Sequence, residues 1–559
     1  MLSKLARTKS LPILVGLIIC VACGDSSKRG GSGTAAGRSP WFRDIAEQSG
    51  VDFVHHSGHG EEFYTPEVVA GGVALLDADE DGNLDIYFVQ AGGLEQLPGD
   101  RPGNQLFRNR GDATFETITE KSGADNRGYG IGVATGDANN DGHVDLYVTN
   151  VGANALLCGS GKATFDDTTS ASGVGDTGFG TSAAFLDYDQ DGDLDLYVAN
   201  YLIWSVEAEK DCFNTLGQRD YCAPALYNAP AIDVLYRNEG KGSFADVTVE
   251  AGLETTFGTG LGIVASDFNA DGLVDVFVAN DGRPDQLWIN LDGVRFEDQA
   301  MLLGCAMDQD GKAKAGMGVA CADFDDDADI DVIVCNLRGE SDSLFINEHG
   351  SFSDATASSG LGTTSRGFTR FGMGWLDFDN DGWLDLYQAN GRVAMDVDGH
   401  GSDDLLAEPN LLFRGRQGRK FEEVAPRGGT ELPLIHTSRG AAFGDLDNDG
   451  GMDIVVSNRD AAPYILLNNA GDSGNWLLVR VLDGKGRDDL GATVEVRVGE
   501  RTIRREVRTA YSYCVANDPR VHFGLGSTTK IDALKVIWTN GQQRSIEIKG
   551  LNQVYVIRP

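Results

Sequence analysis

The sequence predicts an all-β chain, a seven-bladed β-propeller followed by a small C-terminal β-domain. Three observations carry this. One acidic nine-residue loop recurs seven times, four strand-like segments accompany most copies, and the two ends of the array complement each other.

The loop reads D-x-[DN]-x-D-G-x-x-D and begins at Asp77, Asp137, Asp187, Asp267, Asp377 and Asp445. A seventh copy begins at Asp323, with Ala328 in the glycine position. Successive starts lie 60, 50, 80, 56, 54 and 68 residues apart, so each copy is one supersecondary unit with insertions of varied length. An apolar, glycine-rich segment precedes the loop, as in GVALLDAD, GIGVATGD and FGMGWLDFD. An alternating segment follows it: LDIYFVQ, LDLYVTN, LDLYVAN, VDVFVAN, IDVIVCN, LDLYQAN and MDIVVSN. Period-two alternation rich in β-branched and aromatic residues predicts strands. A third strand comes next in LFRN, LYRN, LWIN and LFIN, and a fourth in TFETIT, TFDDTT, SFADVT, SFSDAT and KFEEVA. The seventh repeat stops at LLNN, Leu466 to Asn469, without a fourth strand. Trp41 to Val51 (WFRDIAEQSGV) is a fourth strand with no repeat before it. The N-terminal segment is therefore expected to complete the last blade and close the ring.

Side chains at loop positions one, three, five and nine can converge on one centre when position six permits a tight turn. Those positions hold Asp77, Asp79, Asp81, Asp85; Asp137, Asn139, Asp141, Asp145; Asp187, Asp189, Asp191, Asp195; and Asp267, Asn269, Asp271, Asp275. They continue with Asp323, Asp325, Asp327, Asp331; Asp377, Asp379, Asp381, Asp385; and Asp445, Asp447, Asp449, Asp453. Every donor is an oxygen, which suits calcium, a hard cation taking six to eight oxygen ligands; the carbonyl at position seven can add one more. The expectation is up to one calcium ion per blade. The loop is not an EF-hand, because no Glu stands at position twelve and strands flank it. Four carboxylates a few ångströms apart repel strongly unless neutralised. The formal net charge is −39, and seven divalent ions would bring it to −25. The fifth loop is the weakest expected site, since Ala328 is strained at positive φ.

Hydrophobic residues make up 41% of the chain, which excludes a disordered acidic polymer. The overall negative charge argues against nucleic acid and anionic lipid as partners.

The repeats from Trp41 to about Ala470 resemble the integrin-type FG-GAP or VCBS calcium propeller. The tail resembles the ASPIC/UnbV domain in NWLLVRVLDGKGRDDLGATVEV, DPRVHFGLG (Asp518 to Gly526) and KVIWTNGQQRSI. With YCAP after Cys212 and SRGAAFGDLDNDG (Ser438 to Gly450), the chain is similar to the cartilage acidic protein family and its bacterial lipoprotein relatives. The resemblance implies calcium binding and an extracytoplasmic interaction. It implies no common reaction. The expected domains are a signal peptide over 1–22, a tether over 23–40, the propeller over 41–470 and the ASPIC/UnbV domain over 471–559.

Lys4, Arg7 and Lys9 precede an apolar run from Leu11 to Ala22, too short to span a bilayer comfortably. It ends in Cys20-Val21-Ala22-Cys23-Gly24, which resembles a bacterial lipobox with Cys20 where Leu is usual. Cleavage before Cys23 would leave a lipidated cysteine and a membrane-anchored lipoprotein, expected at the outer membrane or cell surface. Asp25 to Pro40 is small, polar and glycine-rich, a flexible tether. Of nine cysteines, Cys212 and Cys222 lie close together in one loop and are the expected disulfide. Cys158, Cys321 and Cys335 fall on apolar strands and read as buried thiols.

No motif of hydrolytic or phosphoryl-transfer catalysis appears, and the chain is not expected to be an enzyme. His55, His56 and His59 with Glu61 and Glu62 form the only His-rich cluster, open to reading as a transition-metal site or as a plain polar loop. Asp396, Asp398, Asp403 and Asp404 form a second acidic cluster, an extra cation site or a solvated loop. Long insertions follow the second strand in repeat three (Tyr201 to Asp233) and repeat six (Gly391 to Pro409), on the face opposite the acidic loops. Tyr201, Trp204, Tyr221 and Tyr227 either contact a partner there or pack the insertion itself. The leading expectation is a binding or scaffold lipoprotein engaging a protein or glycan. The alternatives are an envelope enzyme acting on polysaccharide and an accessory role in secondary metabolism.

Overall fold

The computed structural model describes residues 40–395, 403–471 and 474–559. The signal segment, Cys23 and most of the tether lie outside these residues, as do Asp396 and Asp398.

Seven four-stranded antiparallel sheets form the blades. Blade I contains Val73–Leu76, Asp85–Phe88, Gln105–Asn109 and Phe115–Thr117, in that order from the inside outward. Blades II to VI repeat this order, with inner strands Tyr129–Gly136, Gly180–Leu186, Gly260–Ser266, Gly316–Ala322 and Arg370–Leu376. Blade VII has Ser438–Gly444, Asp453–Asn458 and Tyr464–Asn468, and its fourth strand is Phe42–Asp44 from the N-terminus. The pairing is Phe42 with Asn468, Arg43 with Leu467 and Asp44 with Leu466.

The inner strands explain the glycine-rich segments. A side chain at Gly72 would meet Gly132 of blade II at 2.7 Å, one at Gly318 the Phe371 carbonyl of blade VI at 2.0 Å, and one at Gly440 the Gly71 carbonyl of blade I at 2.4 Å. In blade III the equivalent position is Ser182, whose hydroxyl donates to the Leu261 carbonyl of blade IV at 2.5 Å. Backbone therefore packs on backbone around the axis, and blade VII meets blade I.

The C-terminal domain has two sheets. One orders Val521–Gly526, Asn475–Val481 and Gln553–Ile557; the other orders Arg501–Glu506, Thr493–Val498, Ala533–Ile537 and Gln543–Ile546. Leu477, Val479, Val494, Val496, Phe523, Leu534 and Trp538 form its core. It packs with the propeller as one compact unit, so residue 470 marks a change of sheet and not a gap in packing.

The segment joining Arg501–Glu506 to Val521–Gly526 enters the propeller axis. Ser512 exchanges backbone hydrogen bonds with Val319 of blade V (2.7 and 3.0 Å), and Ala516 does so with Val73 and Leu75 of blade I (3.1 and 3.0 Å). The Cys514 amide donates to Ser182 Oγ of blade III at 3.0 Å, and its carbonyl accepts from Val133 of blade II at 3.2 Å. The Ser512 hydroxyl accepts from Met373 of blade VI at 2.9 Å and donates to the Ala441 carbonyl of blade VII at 2.8 Å. The inner strand edges, which would otherwise face an open channel, thus find partners in six blades.

Candidate metal centres and the insertion face

All seven acidic loops fold alike. The position-one carboxylate accepts the position-six amide at 2.7–3.2 Å. The position-nine carboxylate is clamped on both oxygens. Oδ2 accepts the position-two amide at 2.8–3.1 Å. Oδ1 accepts an amide from the third strand at 2.7–2.8 Å. Position six is left-handed, with φ between 85° and 94° at the six glycines and 77° at Ala328. Position four is left-handed too: Glu80, Asn140, Gln190, Ala270, Asp326, Asn380 and Asn448 have φ between 53° and 63°. The sequence pattern leaves position four blank, and its conformation shows only in the structure.

Carboxylate oxygens converge within 4.8 Å of one another in five loops: Asp77, Asp79, Asp81; Asp187, Asp189, Asp195; Asp323, Asp325, Asp327; Asp377, Asp379, Asp385; and Asp445, Asp447, Asp453. In blades II and IV, Asn139 and Asn269 bring an amide oxygen at position three instead, turned onto the position-five amide at 2.8 and 2.9 Å. Asp77 Oδ1, Asp79 Oδ1, Asp187 Oδ1, Asp379 Oδ1 and Asp447 Oδ1 are buried with no hydrogen-bond partner among the described residues. Burial pushes Asp85, Asp145, Asp195, Asp275 and Asp331 up to about 8. It holds Asp385 and Asp453 well above the carboxylate range, and the neighbouring carboxylates add to the rise. Unpartnered, desolvated, all-oxygen donors around one point fit a hard divalent cation.

Ala328 takes up the strained turn and still donates its amide to Asp323 Oδ2 at 3.1 Å. Relieving a non-glycine residue of a left-handed conformation is worth about 1 kcal/mol. Ala328→Gly is expected to raise the melting temperature by about 1 °C in a protein this large and to tighten metal binding at the fifth loop. Calorimetry of the two proteins checks this, and an unchanged or lower midpoint refutes it.

A second element escaped the sequence reading. The asparagine ending the third strand donates its side-chain amide at 2.8 Å to the loop of the preceding blade: Asn109 to the Leu446 carbonyl, Asn238 to Ala138, Asn290 to Tyr188, Asn347 to Phe268 and Asn468 to Phe378. The recurrent N in LFRN, LYRN, LWIN and LFIN was the available signal. Gly159 and Gly415 take its place in blades II and VI.

On the opposite face the histidines separate. His55 is fully buried, with both ring nitrogens unpartnered, and burial lowers its pKa to about 4. The backbone amide of His56 donates to Gln90 Oε1 at 2.7 Å. His59 Nδ1 lies 2.7 Å from the buried Glu67 carboxylate and 3.1 Å from the Tyr221 hydroxyl. Tyr221 donates to Glu67 at 2.9 Å and accepts from Arg459 Nη2 at 2.7 Å. The three histidines with Glu61 and Glu62 are thus not brought together as a metal site. Three remote segments instead build a His59–Glu67–Tyr221–Arg459 cluster. Asp404 accepts from the Leu406 amide at 2.9 Å and from the Thr437 hydroxyl at 2.6 Å, as a structural carboxylate would.

Cys212 and Cys222 are joined in a disulfide, beside the short hairpin of Cys212–Phe213 and Arg219–Asp220. Of the insertion aromatics, Tyr201, Trp204, Tyr221 and Tyr227 pack inward, whereas Phe213 is exposed. Tyr201 donates to Asp281 at 2.6 Å, Trp204 Nε1 to Glu209 at 3.0 Å, and Tyr227 meets Thr65 at 2.7 Å. Cys321 and Cys335 are buried; Cys158 is only partly so.

Radial four-stranded blades with a carboxylate loop at each inner turn define an acidic-loop β-propeller. Matches to the FG-GAP-like repeat family cover 77–148, 138–198, 267–334, 323–387 and 396–456, together more than half of the chain, and residues 483–559 match the ASPIC and UnbV family. The chain belongs to the FG-GAP-like repeat family, with an ASPIC and UnbV domain at its C-terminus. It is 24% identical over 424 residues to cartilage acidic protein 1 of Xenopus tropicalis, covering 68% of this chain and 57% of that protein. Against the Mus musculus protein it is 25% identical over 333 residues, 58% and 41% of the two chains. The chain therefore spans about half the length of these relatives. Among solved structures, an Agrocybe aegerita lectin recognising non-reducing terminal N-acetylglucosamine aligns at 14% identity over 78% of this chain and 98% of its own, with a TM-score of 0.39. The BP39L lectin of Burkholderia pseudomallei aligns at 10% identity over 72% and 97%, with a TM-score of 0.42.

Proposed function

We propose that this chain is a calcium-loaded, exported, lipid-anchored binding protein that engages a protein or glycan through the insertion-bearing face of its propeller. The observation that carries it is the division of labour between faces. The C-terminal domain occupies the acidic-loop face, while one insertion on the other side exposes Ile203 (67%), Phe213 (61%), Leu216 (61%) and Leu226 (55%). Large apolar side chains exposed on a disulfide-pinned loop suit recognition. Calcium would be held by the side chains at positions one, three, five and nine, and would compete there with arginines such as Arg414, which pairs with Asp379 and Asp381, and Arg419, which pairs with Asp325. The Cys212–Cys222 disulfide supports an oxidising, extracytoplasmic setting.

The test is an array of glycans and envelope proteins probed with the calcium-loaded chain and with Phe213→Ser/Leu216→Ser. The double variant is expected to lose at least tenfold in affinity for whatever the parent binds. Equal binding by both refutes this face as the site. Anchoring has its own check. Cys23→Ala is expected to move the protein from the membrane to the soluble fraction, and a variant that still sediments with membranes refutes lipidation there.

A second reading, an enzyme acting on polysaccharide, is favoured by one cluster. Glu67 orients His59 through Nδ1, which leaves Nε2 for proton transfer, and Arg459 holds the Tyr221 hydroxyl. Depolymerisation of any bound glycan, lost in His59→Ala with binding retained, would establish that reading over simple recognition.

A further inference from the structure

We infer that the rim of the acidic loops is the docking surface of the chain's own C-terminal domain, and that ion binding in the loops is coupled to seating of the axial segment. This rests on the calcium reading above.

The arginines of the C-terminal domain reach mainly the outside of the loops. Arg487 bonds the position-four side chain of Asn140 and donates to the Gly192 carbonyl at 2.8 Å. Arg501 bonds Asp326, also at position four, at 2.6 and 3.1 Å, and lies over the Trp383 ring at 4.0 Å. Arg520 donates to Asn448, again at position four, at 2.7 Å and to the Asp445 carbonyl at 2.8 Å. The Gly526 amide donates to the carbonyl of Asn380, the position-four residue of blade VI, at 2.7 Å. In these loops the grip falls on position four and on main-chain carbonyls, leaving the converging carboxylates to face inward. Charge from the domain also reaches the position-one carboxylates: Arg480 lies 3.6 Å from Asp77, Arg505 acts on Asp323 and Asp377, and Arg520 acts on Asp445.

Position four presents these groups because the turn holds it left-handed. In the loops of blades III, V, VI and VII that turn closes around a point where three carboxylates lie within 4.8 Å. A cation there draws the loop shut; without one, like charges at that separation push it open. The rim would then lose its shape, and with it the contacts that hold the domain. The interface is not a continuous dry seam. A cavity of about 400 Å³ separates the domain from blades I and II, and one of about 420 Å³ separates it from blades III and IV. The axial segment is continuous with Arg501–Glu506 on one side and Val521–Gly526 on the other, the two strands that carry or adjoin the rim contacts. Loosening the rim therefore loosens the segment in the channel. Coupling of this kind is reciprocal, so docking must raise ion affinity by the same factor.

Hydrogen exchange resolved by peptide tests this on the full chain, after metal analysis has established the calcium content. Chelation is expected to speed exchange of 508–518 at least tenfold while Asp145–Val151 and Asp275–Asn280 stay protected. The rim variant Asp326→Ala/Asn448→Ala, which leaves positions one, three, five and nine intact, should retain the full number of ions. It should bind them several-fold more weakly and exchange 508–518 faster even in calcium. If chelation strips the ions and 508–518 stays protected, or opens only together with the blades, the coupling is refuted. A rim variant with unchanged affinity and exchange refutes it equally. A protein that holds no calcium at the outset brings down the calcium reading itself, and this inference with it.

Discussion

Removing divalent cations is expected to lower the melting temperature by roughly 10 °C or more. An ion that binds only the folded state stabilises it by about 2.7 kcal/mol at a hundredfold excess over its dissociation constant. Five loops bring three carboxylates within 4.8 Å, and the other two carry three Asp and one Asn. Several such sites together amount to a large share of the roughly 5–15 kcal/mol of net stability typical of a folded domain. The carboxylates left behind are desolvated: burial raises Asp77 to about 6 against the pull of Arg480, and burial first and neighbouring carboxylates second raise Asp187 to about 6 and Asp377 to about 8. Calcium should restore the transition better than magnesium, which demands a tighter octahedral shell than these nine-residue turns offer. Scanning calorimetry with and without chelator, paired with metal analysis of the purified chain, decides the matter. A chain holding one ion or none, or melting unchanged in chelator, would falsify the reading.

The second large effect is expected from deleting Trp41 to Val51. Phe42–Asp44 is the outer strand of blade VII, and the Trp41 carbonyl accepts from Asn469 at 2.7 Å. Phe42 is 1% exposed and packs edge-on against Phe378 at 5.5 Å, across the blade junction; Arg414 lies over the Trp41 ring at 5.8 Å. Losing two buried aromatics costs on the order of 5 kcal/mol, and Tyr464–Asn468 would become a bare edge. The shortened chain should aggregate, or unfold at markedly lower temperature, with calcium saturating. Deleting Gly31 to Arg38 should do neither. Identical behaviour of the two deletions would show that the N-terminal strand does not hold the ring.

The blades and loops were legible because each lies within one stretch of chain. Period-two alternation, the spacing of Asp and the orphan strand at Trp41 all survive in a one-dimensional reading. What stayed hidden depends on distant partners. Ser512 and Cys514 belong to a short segment whose meaning comes from Val319 and Ser182. Asn109 looks like a strand end until Leu446 is placed beside it. Tyr221 could be read as a surface contact or as packing, and only its bonds to Glu67 and Arg459 decide. His59 stands in a histidine run, whereas the structure pairs it with Glu67 and with the remote Tyr221 and not with His55.

The axial segment bears on how the chain is made. Phe42–Asp44 precedes all seven inner strands in the chain, and Tyr511 to Asn517 follows the last blade. The outer edge of the ring cannot be closed before Tyr464–Asn468 is made, nor its inner edges before Ser512 to Ala516. Intermediates shorter than this carry unpaired strands at both radii, where association with other chains is easiest. Truncation before Tyr511 is therefore expected to leave the inner edges unpaired and to lower the soluble yield, which fractionation of the expressed chain checks.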